Sequence, residues 1–245
     1  MKLSQLFCPP PVRARHVKRT FVSSPDDDPG RPTREVIETA LDVVRQTLDL
    51  DLSDVSRRMR SAPRWPDVWP GEHYRLLAAF VRRLQPQTVV EIGTHSGLSA
   101  LSLKKYLPAS ARLFTFDLVR WDAVPDTCLV RDDFADGRLV QICADLADPH
   151  VFREHAGLLA GAGLVFADGP KDRRFEPAFA ERLDTLLPAP PRWVVFDDIR
   201  DLNMLQFWRD IRHPKLDLSS FGHWTGTGLV RWGRAGSATA QARME

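Results

Sequence analysis

The sequence predicts an α/β fold, a doubly wound, mainly parallel sheet of seven strands with an antiparallel strand near the C-terminus. Three observations carry this. Short apolar runs of strand character alternate with helical patterns from about residue 71 onward. The runs are apolar on both alternating positions, as strands covered on both faces must be. The last two runs follow one another with no helical pattern between them, so one can run antiparallel.

The elements follow in order. Helical spacing covers Gly71 to Leu84, and Thr88-Val89-Val90-Glu91-Ile92 reads as a buried strand. Gly97 to Tyr106 is helical, Arg112 to Phe116 and Arg138 to Cys143 are strands, and Pro149 to Leu159 is a helix. Gly163 to Ala167 is a strand, Phe175 to Leu187 a helix, Trp193 to Phe196 a strand and Asn203 to Arg212 a helix. Leu216 to Phe221 and Thr227 to Trp232 complete the set. Upstream, Val36, Ile37, Ala40, Leu41, Val44 and Leu48 recur at helical spacing after Thr33, which predicts an accessory helix outside the main fold. The chain divides accordingly into a basic flexible tail (1–32), an accessory helical segment (33–70), the α/β domain (71–235) and a C-terminal tail (236–245). Breaker-rich stretches from Ser24 to Gly30 and from Ala62 to Gly71 mark the first two boundaries.

Composition narrows the function. The formal charge of +2, from 34 Lys and Arg against 32 Asp and Glu, gives no general basis for nucleic-acid binding. No apolar run reaches the ~20 residues of a membrane span. Cys8, Cys128 and Cys143 show neither CxxC nor Cys/His metal spacing, so a reducing, cytoplasmic setting is expected. Oligomeric state is left open, a homodimer included.

Candidate chemistry sits at the carboxyl ends of the predicted strands, where open parallel sheets bind ligands. The first strand leads into Gly93-Thr94-His95-Ser96-Gly97-Leu98-Ser99. Gly93 and Gly97 allow a tight turn and close approach of backbone N–H groups to a ligand at a helix start. The loop is not GxGxxG, since His95 stands where a second glycine would be expected. Glu91 closes an apolar strand and would be costly to bury without a polar or cationic partner. Asp117 ends the second strand, where an acid can accept hydrogen bonds from ribose hydroxyls, or simply cap a turn. Asp168 and Asp197-Asp198 end two later strands, with Lys171 three residues beyond Asp168. Three acids converging there would suit a hard divalent cation such as magnesium; apart, they would be solvated turn residues. His223 lies in a Gly-rich turn between the last strands, either as a surface turn histidine or as a group reaching the site. Trp65, Trp69, His73 and Tyr74 form an aromatic group that either caps the site or packs the accessory segment.

These segments resemble the class I S-adenosylmethionine methyltransferases, Rossmann-like enzymes, and in detail the group related to catechol O-methyltransferase. The resemblance covers roughly Gly71 to Asp198, and extends toward Trp232. It implies S-adenosylmethionine as cofactor, with Glu91, Gly93, Thr94, Gly97 and Ser99 toward its methionine end, Asp117 on the ribose and Asp145 near the adenine. Asp168 would border both cofactor and metal. It further implies a divalent metal, magnesium by its oxygen ligands, on Asp168, Asp197 and Asp198, with Lys171 as proton acceptor. The turn bearing His223 could close over the substrate, which makes His223 a second catalytic candidate on the residues alone. Two departures bear on substrate: Asp198 replaces the commoner Asn, and Gly169-Pro170 replaces bulky ring-bearing residues. The implied reaction is O-methylation of a small molecule or sugar hydroxyl. One rival reading is a nicotinamide-dependent oxidoreductase, against which the absent GxGxxG and the acid-rich later strand ends argue. The other is a non-catalytic protein that keeps the fold as a binding module.

Overall fold

The computed structural model describes residues 30–70, 72–187 and 190–233. The expected tails therefore lie almost wholly outside the described residues. Seven strands form one sheet: β1 (Thr88–Ile92), β2 (Arg112–Asp117), β3 (Leu139–Cys143), β4 (Leu164–Ala167), β5 (Arg192–Asp197), β6 (Lys215–Asp217) and β7 (Thr227–Trp232). Their spatial order is β3-β2-β1-β4-β5-β7-β6. The first five are parallel, and β7 runs antiparallel to both β5 and β6. The order reverses between β1 and β4, which opens a crevice above their carboxyl ends.

Alternate strand residues feed two cores, following the two-residue period of a pleated strand. Val89, Leu113, Leu164, Phe166 and Val195 pack on one face; Val90, Phe116, Val165, Val194 and Phe196 pack on the other. Each fully buried Val, Leu or Phe of this kind contributes about 1.5–3 kcal/mol. The first face is covered by α1 (Arg34–Thr47), α3 (Glu72–Leu84) and α4 (Leu98–Lys105), with the short α2 (Ser53–Ser56) beside them. The second carries α5 (Pro149–Glu154), α6 (Ala156–Gly161), α7 (Phe175–Thr185) and α8 (Leu205–Asp210).

Three elements differ from the sequence expectation. The helix begun at Thr33, whose hydroxyl accepts the Val36 N–H, does not stand outside the fold. Val36, Ala40 and Val43 are buried in the same cluster as Leu76, Leu77 and Phe80 of α3. The Arg75 guanidinium then binds the carbonyls of Thr47, Leu50 and Pro66, tying the end of α1 and the following loop to α3. Second, the helix expected over Pro149 to Leu159 breaks at His155, whose ring packs edge-on against Phe116 at 5.0 Å. Third, the strand expected over Leu216 to Phe221 ends at Asp217. Asp217 Oδ1 accepts hydrogen bonds from the Ser219 N–H (2.8 Å) and hydroxyl (2.5 Å), turning the chain.

Candidate active site

A cleft of about 760 Å³ lies above the switch point. Its walls include Gly93 and His95 after β1, Asp117 at the end of β2, Asp145 after β3, and Asp168 to Pro170 after β4. Asp117 is fixed by two backbone donors: Oδ2 accepts from His95 N–H at 2.9 Å and Oδ1 from Val119 N–H at 3.0 Å. Asp145 is held by the Ala147 N–H at 2.7 Å. Gly93, at φ 97°, passes so close to β4 that a Cβ would stand 2.3 Å from the Asp168 carbonyl oxygen. Only glycine lets the loop and the Asp168 turn meet there.

Four other residues expected at this cleft stand behind its wall. Thr94 is buried, its hydroxyl 2.7 Å from that of Thr115 and accepting from Gln141 Nε2. Gly97 packs on Leu129, and Ser99 is buried on α4. Glu91 is fully buried, and neither carboxylate oxygen has a hydrogen-bond partner in good geometry. Burial pushes its carboxyl up to about 7, only partly offset by the nearby hydroxyls of Ser99 and Thr115. The folded state thus holds an extra proton between the ordinary value of 4.5 and about 7, and stability falls as pH rises through that window. Glu91→Gln should flatten this fall and stabilise the ligand-free protein at pH 8 by roughly 3 kcal/mol. Thermal unfolding from pH 4.5 to 8 measures it; parallel curves for the two proteins would refute it.

Beside the cleft, the tips of β4 and β5 bring Asp168, Lys171, Asp197 and Asp198 together. Oxygens of the three acids lie within 4.8 Å of one another. Lys171 Nζ donates to Asp168 Oδ1 at 2.7 Å and to the Gly169 carbonyl at 3.0 Å, and lies 3.8 Å from Asp198 Oδ2. Burial works to lower the Lys171 ammonium, but Asp168, Asp197 and Asp198 override it and hold the group above its ordinary value. The Lys171 backbone is clamped from both sides: its N–H donates to Glu176 Oε1 and its carbonyl accepts from Asn203 Nδ2. Lys171 and Asp198 carry φ values of 54° and 59°, as His95 does at 40°, so left-handed non-glycine residues cluster around the site.

His223 turns inward from its loop. Nδ1 lies 3.1 Å from Asp198 Oδ1 and 3.5 Å from Asp197 Oδ2. Burial opposes its charge, but the two carboxylates raise it to about 10. Thr225 donates to Asp198 as well. His73, on the first turn of α3, places Nδ1 3.3 Å from Asp197 Oδ1. Burial again favours the neutral ring, and Asp197 again outweighs it, raising His73 above the usual value. Asp197, itself 2% exposed, would be raised by burial but is held far below the carboxylate range by these two rings. Sequence reading grouped His73 with neighbouring aromatics and did not connect it to Asp197. Asn203 and Thr225 carried no signal because their partners, Lys171 and Asp198, are distant in the chain. Glu176, though near Lys171, reads as an ordinary acid in the first turn of α7.

A methyltransferase from Geobacter sulfurreducens superposes on 66% of this chain and 80% of its own with a TM-score of 0.50 and 21% identity. The chain has the class I methyltransferase fold. Other methyltransferase-fold structures align over more of the chain with lower scores. The SAH-bound methyltransferase PaMTH1 of Podospora anserina covers 80% of this chain and 88% of its own, at TM-score 0.47 and 17% identity. The O-methyltransferase TomG of Streptomyces achromogenes, in complex with SAM, covers 80% and 90%, at 0.44 and 20%. No protein-family model and no curated protein sequence matches the chain. Among the described residues, no helix is long and apolar enough to cross a membrane.

Proposed function

We propose that the chain is an S-adenosylmethionine-dependent O-methyltransferase that acts on a hydroxyl of a small molecule or sugar with the help of a divalent cation. The observation that carries this reading is Asp168, which lines the large cleft and also belongs to the carboxylate cluster. A donor bound in the cleft and an acceptor hydroxyl bound at the cluster would therefore meet at one residue, as an in-line displacement requires.

The donor set suits a cation. Three carboxylates crowd one point, and Asp197 Oδ1 is buried with no hydrogen-bond partner. Asp168, Asp197 and Asp198 would hold the ion through oxygen. When bound, it would polarise the acceptor hydroxyl and offset the negative field on Lys171, while S-adenosylmethionine would supply the methyl group. The protein's own groups do the rest. Asp117, its rotamer fixed by two N–H donors, offers its remaining lone pairs to ribose hydroxyls. Asp145 borders the adenine end. Lys171, clamped by Glu176 and Asn203, receives the acceptor proton as the methyl group moves to oxygen. His223, charged and bound to both acids, keeps Asp197 and Asp198 in place until a cation competes for them.

Calorimetric titration with S-adenosylmethionine and, separately, NAD(P) tests the donor assignment, followed by turnover on a panel of hydroxylated acceptors. Binding of the sulfonium alone, with a methylated product, is the expected result; nicotinamide binding would replace the reading with an oxidoreductase. Asp117→Ala should weaken S-adenosylmethionine by about 1.5–3 kcal/mol, the worth of hydrogen bonds to a charged acceptor. Unchanged affinity in a folded variant would remove Asp117 from the cofactor site.

A further inference from the structure

The carboxylate cluster has nitrogen donors on its inner side. His73 Nδ1 and His223 Nδ1 approach opposite oxygens of Asp197, at 3.3 and 3.5 Å. The two rings stand 5.7 Å apart, nearly perpendicular. Ligand atoms of His73, Asp197 and His223 all lie within 4.8 Å of one another, a second three-donor group that shares Asp197 with the three acids.

The detail that separates a ligand from a support is the orientation of His73. Its side chain is only 6% exposed, and Nδ1 lies 3.3 Å from Asp197 Oδ1, yet neither atom has a hydrogen-bond partner. A histidine that merely positions a carboxylate does so through an aligned N–H···O bond. Here both atoms are sealed from water and neither satisfies the other, although buried polar groups are almost always paired. Two donors bound to one ion at about 2.0–2.2 Å stand roughly 3 Å apart without pointing at each other. The same relation holds here. Glu72, immediately before His73, is at φ 49°, so the chain adopts a left-handed residue at the point where the ring is aimed into the cluster.

We propose that His73 joins Asp197 as a direct ligand of the divalent ion, that His223 exchanges its 3.1 Å contact with Asp198 Oδ1 for the same ion, and that the site consequently prefers an imidazole-binding transition ion of the iron-to-zinc series over magnesium. Oxygen-only sites suit magnesium, whereas imidazole favours iron, cobalt, nickel and zinc. This rests on the metal-assisted reading above and specifies its ion. Ring nitrogens must be neutral to ligate, so ion binding releases any proton they carry.

The test uses the full chain, freed of metal by chelation, titrated with Co(II) and with Mg(II). Co(II) should bind on the order of tenfold or more tighter than Mg(II). The Co(II) form should show paramagnetically shifted, solvent-exchangeable proton signals from ligated imidazoles. His73→Ala should lose one such signal and weaken Co(II) on the order of tenfold while changing Mg(II) little. His223→Ala, on a loop, gives the same readout should His73→Ala fail to fold. Mg(II) binding as tight as Co(II), or no shifted imidazole signals, would overturn the nitrogen-ligand proposal and leave the oxygen site standing. Binding of neither ion would overturn the metal-assisted reading itself, and this proposal with it.

Discussion

Asp197→Ala is expected to lower turnover by at least about 10²–10³-fold, the range seen when a preorganised electrostatic group is removed from an active site. The variant should still bind S-adenosylmethionine. Asp197 lies at the tip of β5, outside the walls of the large cleft, so donor binding does not depend on it. It is, however, the residue on which the cluster converges, facing His73 and His223 while sharing the proposed cation site with Asp168 and Asp198. Removing it takes away one ligand and leaves two imidazoles without their buried counter-charge. Breaking a buried pair in this way costs about 3–5 kcal/mol of stability, so Asp197→Asn, nearly isosteric, is the companion variant. Chelation of the wild-type protein should reproduce the kinetic defect, and added divalent ion should reverse it. A folded Asp197→Asn protein with wild-type turnover, or a chelated protein that remains fully active, would remove the cation from the reaction.

Much of this was legible in the sequence, for definable reasons. Strands buried on both faces show as unbroken apolar runs, and Val89-Val90, Leu164-Val165-Phe166 and Val194-Val195-Phe196 stand in the expected places. The acids at their tips were equally visible, because in a parallel sheet neighbouring strand ends must come together: Asp168 and Asp197 follow from register alone. Harder to see were contributions from outside the strand tips. His73 reaches Asp197 only because α3 is anchored over β4, its ring 5.1 Å from Phe166, and no local pattern encodes that packing. The place of α1 in the fold is hidden for a similar reason. Breakers at both ends say where a segment stops, but not whether its apolar stripe of Val36, Ala40 and Val43 finds a partner. Residues expected on the cofactor, Glu91, Thr94, Gly97 and Ser99, were located by their loop. The pleat and α4 turn the side chains of Glu91, Thr94 and Ser99 into the fold, and Gly97 packs its backbone against Leu129.

Lys171→Ala is expected to reduce kcat by about 10²–10⁴-fold, the contribution of a positioned proton acceptor, while cation and S-adenosylmethionine affinities stay within a few-fold of wild type. The structure holds Lys171 charged through Asp168 at 2.7 Å and through Asp197 and Asp198 beyond it. Its role as acceptor therefore requires that those carboxylates be engaged elsewhere, which ties Lys171 to the cation. Two signatures distinguish this from a lysine that only neutralises acids. First, the rate of the metal-loaded enzyme should rise with pH until the ammonium loses its proton, because the acceptor must be neutral to act. Second, Lys171→Arg should fail nearly as badly as alanine: a guanidinium keeps the charge and the contact with Asp168 but cannot accept a proton at any working pH. An arginine variant with wild-type turnover would make Lys171 a counter-charge. An alanine variant with undiminished kcat and an unchanged pH profile would remove Lys171 from the proton transfer and leave the carboxylate cluster standing without it.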